Sequence, residues 1–136
     1  MGDKKIKWLI YTVIVGMLPI LLRLLVWLVD KTKTVEPFSA ADFVMFGLVL
    51  HISNINEIEH LQKLDKTWKT VQNGSSVMFI TIYSVFFALT LLSSVNPPLI
   101  DQIRIIYYAA ALNVASLILS YTVYDRISLL SRSKRK

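Results

Sequence analysis

The sequence predicts an all-α membrane protein with four transmembrane helices, on three observations: a composition too apolar for a soluble domain, apolar runs of bilayer length, and basic residues gathered in alternate links. Of 136 residues, 54% are hydrophobic and only 18% charged, whereas a soluble domain needs about a quarter charged residues to cover its surface. Mean hydropathy is +0.54. The absence of cysteine removes disulfides, thiolate metal sites and a cysteine nucleophile. Two histidines and no glycine-rich phosphate loop leave little for hydrolytic or nucleotide chemistry.

The first span, residues 8–29, is apolar except for Arg23, and Trp8 and Trp27 stand near its ends, where amphipathic rings favour the interfaces. Its length exceeds that of a signal-peptide core and no small-residue cleavage pattern follows, so a permanent span is expected. The second, residues 38–55, carries Asp42, His51, Ser53 and Asn54. The third, residues 77–95, stops at Asn96-Pro97-Pro98, because proline cannot continue the helical ladder. The fourth, residues 103–124, has Tyr107 and Tyr108 at one end and Tyr121 and Tyr124 at the other, and a basic tail follows over 125–136.

Lysine and arginine counts in the short links set the expected orientation. Eleven lie on one side (Lys4, Lys5, Lys7, Lys63, Lys66, Lys69, Arg126, Arg132, Lys134, Arg135, Lys136) and three on the other (Lys31, Lys33, Arg104). Both termini are therefore expected in the cytoplasm, with the chain multi-pass in the cell inner membrane.

The second helix is expected to be the longest. No proline falls between Ala40 and Gln72, and Asn73-Gly74-Ser75-Ser76 reads as a C′ glycine and turn. Ser39-x-x-Asp42 reads as a capping box, with Phe38 and Phe43 as its hydrophobic staple. A helix over 40–72 would be ~50 Å long and would project some 20 Å beyond the hydrocarbon into the cytoplasm. Ser53, Asn56, His60, Lys63, Thr67 and Thr70 would then share one stripe, and Leu61, Leu64, Trp68 and Val71 another suited to helix packing. Inside the membrane, His51, Ser53, Asn54 and Asn56 should avoid lipid, facing neighbouring helices or a water-filled passage.

Arg23 and Asp42 are candidates for an intramembrane pair, against snorkelling for the arginine and helix capping for the aspartate. With histidine nearby, a proton relay is a further option. In the fourth span Ala109, Asn113, Ser116 and Ser120 recur at spacings 4-3-4 and form a small, weakly polar seam suited to close helix packing. Asp42 and His51 lie on different helix faces, and His60 has no carboxylate pair at metal-ligand spacing, so neither catalysis, a metal nor a cofactor is expected.

Four short-looped spans, the charged stretch NEIEHLQKLDKTWKT and the RSKRK end together resemble the small four-span membrane effectors of bacterial anti-phage defence, in particular the channel partner of Hailong-type systems. The resemblance is one of layout over the whole chain. It implies an oligomeric, normally shut ion-conducting pore that depolarises the infected cell, controlled by a cytoplasmic nucleotide or single-stranded DNA oligomer. Lys63, Lys66, Lys69 and Arg126 are suited to phosphate, of ligand or lipid, and Trp68 or His60 to stacking a base.

The expected function is thus a homo-oligomeric channel or pore effector. Asp42, His51, Ser53, Asn54, Asn56 and His60 are its path or gate candidates. The alternatives are a non-catalytic membrane anchor or interaction subunit of a larger complex, and a phage holin-like protein.

Overall fold

A computed structural model describes residues 3–61 and 65–133. Among the described residues there is no strand, and the chain forms four helices: α1 (Asp3–Val29), α2 (Ala40–Glu59), α3 (Lys66–Val95) and α4 (Gln102–Ser133). Three of them, α1, α3 and α4, are long and apolar enough to cross a membrane. Of the expectations placed on residues 62–64 and 134–136, Lys63 as a phosphate ligand, Leu64 as a packing residue and the last three tail residues lie outside the described part.

Helix α1 contains a π-helical stretch at Trp8–Ile14, where the amide of Val15 reaches back to the carbonyl of Ile10. Pro19, further along, has no N–H to continue the ladder. The helix stops at Asp30, whose carboxylate collects the N–H groups of Thr32, Thr34 and Val35 at 2.9, 2.8 and 3.2 Å and both threonine hydroxyls. Hydrogen bonds from Thr32 first, then those from Thr34 and Val35, hold this exposed carboxyl well below the usual carboxylate range.

Helix α2 begins after Ser39, whose backbone is extended. The expected staple forms, with the Phe38 and Phe43 rings 6.1 Å apart. The capping box does not: Ser39 makes no side-chain cap bond, and the Asp42 carboxylate is taken by Arg23 at 2.5 Å.

The long projecting helix is corrected. Helix α2 ends at Glu59 after 20 residues, and a new helix starts at Lys66, capped by Asp65, which accepts the Thr67 N–H at 3.1 Å. Asn73, Gly74, Ser75 and Ser76, read as a turn, sit inside α3, and no glycine among the described residues has positive φ. Folding back is the physical reason. A straight extension would leave Leu61 and Trp68 in water, whereas the reversal packs both against the core formed by Trp8, Phe46, Leu50, Ile58, Val123, Tyr124 and Ile127. The predicted stripe from Ser53 to Thr70 therefore spans two helices and is not one face.

Helix α2 is the centre of the bundle and packs on each of the other three. Its buried positions Val44, Gly47, His51, Asn54 and Ile58 recur every three or four residues and look inward. Two glycines set the helix separations. A Cβ on Gly16 would stand 2.9 Å from the Phe46 ring, and one on Gly47 would stand 2.1 Å from Cζ of Tyr83. The outer faces are apolar: Leu22 and Leu25 of α1 are each 56% exposed, and Ile118 of α4 is 62% exposed. Such faces suit acyl chains. Lipid supplies no hydrophobic drive between helices, so van der Waals contact at the glycines and hydrogen bonds inside must hold them together.

Candidate functional site: a polar seam inside the bundle

Polar side chains occupy the interior at successive levels: an ion pair at one end, a histidine cluster with an asparagine–serine pair in the middle, and a group of hydroxyls toward the other end. At the end opposite the chain termini, the Arg23 guanidinium holds Asp42 through Nε. This settles the choice between cap and pair in favour of the pair. It stands on an open cleft of about 700 Å³ between α1, α3, α4 and the link before α2, lined among others by Glu36, Phe38, Thr90 and Asp101.

The middle is built around His51, which has no accessible surface. Its Nε2 is 2.8 Å from Ser116 Oγ on α4, and its Nδ1 is 3.3 Å from Ser76 Oγ on α3. The imidazole stacks on Phe79, with centroids 4.6 Å apart. Ser116 is in turn 2.8 Å from the hydroxyl of Tyr83, which donates to Asn113 Oδ1 at 2.9 Å. One turn further along α2, Asn54 Nδ2 donates to Ser120 Oγ at 2.8 Å. Among the described residues, the polar atoms Asn54 Oδ1 and Asn113 Nδ2 are buried without a partner, one on either side of the histidine cluster.

Toward the terminal end, Ser53 Oγ meets Tyr124 OH at 2.9 Å and Thr12 Oγ1 at 3.2 Å. Tyr124 stacks on Trp8 at 5.0 Å. These hydroxyls line a second cleft, of about 390 Å³, whose walls include Lys4, Lys7 and Glu57. The Lys4–Glu57 pair spans 3.0 Å there. Beside it, Lys5 bonds Asp125 at 2.7 Å and lies over the Tyr121 ring, tying the start of α1 to the end of α4. From Asp42 to Glu57 the seam covers ~22 Å by helical rise.

The structure distributes the sequence candidates unevenly. Asp42, His51, Ser53 and Asn54 join the seam, and His51 and Asn54 face neighbouring helices and are closed off inside the bundle of one chain. Asn56 and His60 do not join it: both are exposed, and His60 Nδ1 bonds the Asn56 carbonyl at 2.7 Å. Among the phosphate candidates, Lys69 Nζ is turned to the Leu61 carbonyl at 3.1 Å, and Lys66 is exposed. The Arg126 guanidinium covers the Trp68 ring at 4.6 Å, so that face is not open for a base to stack on.

Ala109, Asn113, Ser116 and Ser120 form the buried face of α4, as their spacing predicts. Sequence reasoning missed Ser76, Tyr83, Tyr124 and Thr12 as partners. A usable signal existed for part of this: His51 and Asn54 are three apart, Ser116 and Ser120 four apart, and such pairs stack on one helix face. Among the described residues no group of three His, Asp or Glu side chains gathers as metal ligands. Comparison with protein-family models, curated proteins and solved structures finds no match to this chain.

Proposed function

We propose that this chain is a multi-pass inner-membrane protein, both termini cytoplasmic, that conducts ions or protons and acts as a non-enzymatic, homo-oligomeric effector in bacterial anti-phage defence. The observation that carries this is the set of hydrogen-bonded polar groups placed at successive levels inside an apolar-coated bundle, with a cleft at each end. Polar groups at membrane depth are costly and collect where something polar passes or binds. The unpartnered Asn54 Oδ1 and Asn113 Nδ2 favour passage, since either could hold a water molecule once the helices part. In this reading the described form is shut, and the path runs inside each protomer along His51, Asn54 and Ser53, with Arg23–Asp42 at one mouth and Lys4–Glu57 at the other.

The charge at the terminal end supports the orientation, because Lys4, Lys5, Lys7, Lys66, Lys69 and Arg126 all gather there. A cytoplasmic anionic ligand, a nucleotide or single-stranded DNA oligomer, would meet Lys66, Lys69 and Arg126. The test is ion and proton flux into liposomes holding the purified chain. His51→Ala with Asn54→Leu should change the conductance at least several-fold; unchanged flux removes the seam from the path.

A second reading, a non-conducting membrane anchor or interaction subunit, is favoured by a different observation: His51 satisfies both ring nitrogens within the protomer, as interhelical glue would. Native mass spectrometry separates the two, since an anchor travels with an unrelated chain and a channel with copies of itself.

A further inference from the structure

The cleft of about 700 Å³ around Arg23 has chemistry that the seam does not use. A guanidinium carries five N–H donors in a planar fork. Among the described residues Arg23 has a partner only at Nε, which holds Asp42, so the terminal nitrogens keep their donors. The Arg23 side chain is 33% exposed, and its Asp42 partner 16%. Arginine at membrane depth, half-buried and half-used, is arranged to bind phosphate bidentately. The same cleft carries carboxylates: Glu36, exposed and without a partner among the described residues, and Asp101, whose charge is already met by Arg104 at 3.2 Å. Apolar walls complete it, notably Phe38 and Ile106.

From these features we propose that the cleft binds the headgroup of an aminophospholipid, with phosphate on the free edge of Arg23 and primary ammonium on Glu36. The charge pattern selects the class. A net anionic headgroup would meet Glu36 as a like charge, whereas a zwitterion places opposite charge at both Arg23 and Glu36. Among zwitterions, a trimethylated ammonium has no N–H to donate, so phosphatidylethanolamine is preferred to phosphatidylcholine. A cleft of this volume is within the ordinary range for a site of that kind, roughly 300–1,000 Å³. The acyl chains would leave along the exposed apolar faces beside Phe38.

This site is independent of whether the protein conducts, and its test reads lipid, not flux. The full chain is purified from nanodiscs holding phosphatidylethanolamine, phosphatidylcholine and phosphatidylglycerol in equal proportion, and retained lipid is counted by native mass spectrometry. Phosphatidylethanolamine should be retained at least threefold over either competitor. Glu36→Gln, on the surface and harmless to folding, should remove that preference over phosphatidylcholine. The charge-neutral double variant Arg23→Gln with Asp42→Asn should lower retention about tenfold while leaving helix content intact. Preference for phosphatidylglycerol, equal retention of all three lipids, or full retention by the double variant overturns the proposal.

Discussion

Adding one methyl group to Gly47 should damage the bundle more than any other change of that size. A Cβ there would lie 2.1, 2.4 and 2.5 Å from Cζ, Cε2 and Cε1 of Tyr83, inside the distance at which any carbon contact is tolerated. Tyr83 has no accessible surface and cannot swing out to solvent. Its ring must shift by an ångström or so, and its hydroxyl then leaves Asn113 and Ser116, now 2.9 and 2.8 Å away. Overpacking of this kind costs about 1–3 kcal/mol. Each lost interhelical hydrogen bond adds about 0.6 kcal/mol in a membrane bundle. Together Gly47→Ala should lose roughly 2–4 kcal/mol. The measurement is reversible unfolding in mixed micelles titrated with SDS, followed by tryptophan fluorescence. Tyr83→Phe, which keeps the ring and loses only the hydroxyl, should cost about 1 kcal/mol. Gly47→Ala in a Tyr83→Ala background should be almost free, because the clash has gone. A Gly47→Ala protein as stable as the parent, or an equal loss in both backgrounds, refutes the argument that these two residues set the α2–α3 separation.

Other changes test other parts of the fold. Gly74 has open space where a Cβ would stand and lies inside α3, so Gly74→Ala should stabilise by about 0.5–1 kcal/mol in the same titration; destabilisation would restore a turn at that position. Arg23→Gln leaves Asp42 unpaired within the bundle and should cost about 1.5–3 kcal/mol, with Asp42→Asn recovering part of it. Replacing Lys5 by Gln should raise amide hydrogen exchange at the start of α1, since its bond to Asp125 joins that end to α4, and no change there would show the tie to be idle. For Asp30 the folded carboxyl titrates below its unfolded value, so its contribution to the loop is complete above the usual carboxylate range and is lost as pH falls through the folded value. Amide exchange at Thr32, Thr34 and Val35 should therefore quicken in strong acid, and Asp30→Asn should remove that pH dependence.

Composition and the small-residue spacing of the fourth span made the helical, membrane-like character and the buried face of α4 readable, because both follow from local pattern. The reversal after Glu59 was not readable. No glycine or proline marks it, and the local signal at Gly74 pointed elsewhere. What decided the matter was tertiary: Trp68 and Leu61 gain neighbours only if the chain folds back. The site was legible in part for the same reason. His51, Asn54 and the Arg23–Asp42 pair announce themselves as polar residues in apolar surroundings. Tyr83 and Tyr124 do not, since a tyrosine in a span reads equally well as an interface anchor, and only their contacts with Asn113 and Ser53 place them inside.

The π-helical stretch at Trp8–Ile14 gives α1 a reserve of slack. Each hydrogen bond there closes over five residues instead of four. Taking up that surplus residue would turn the amino end of the helix by roughly 100° about its axis, one residue's share of a 3.6-residue turn. Trp8 would then swing off Tyr124, and Thr12 off Ser53, without unwinding a single span or disturbing His51. The basic end of α1 thus holds one residue more than a regular α-helical register needs, placed where Trp8 and Thr12 meet α4 and α2.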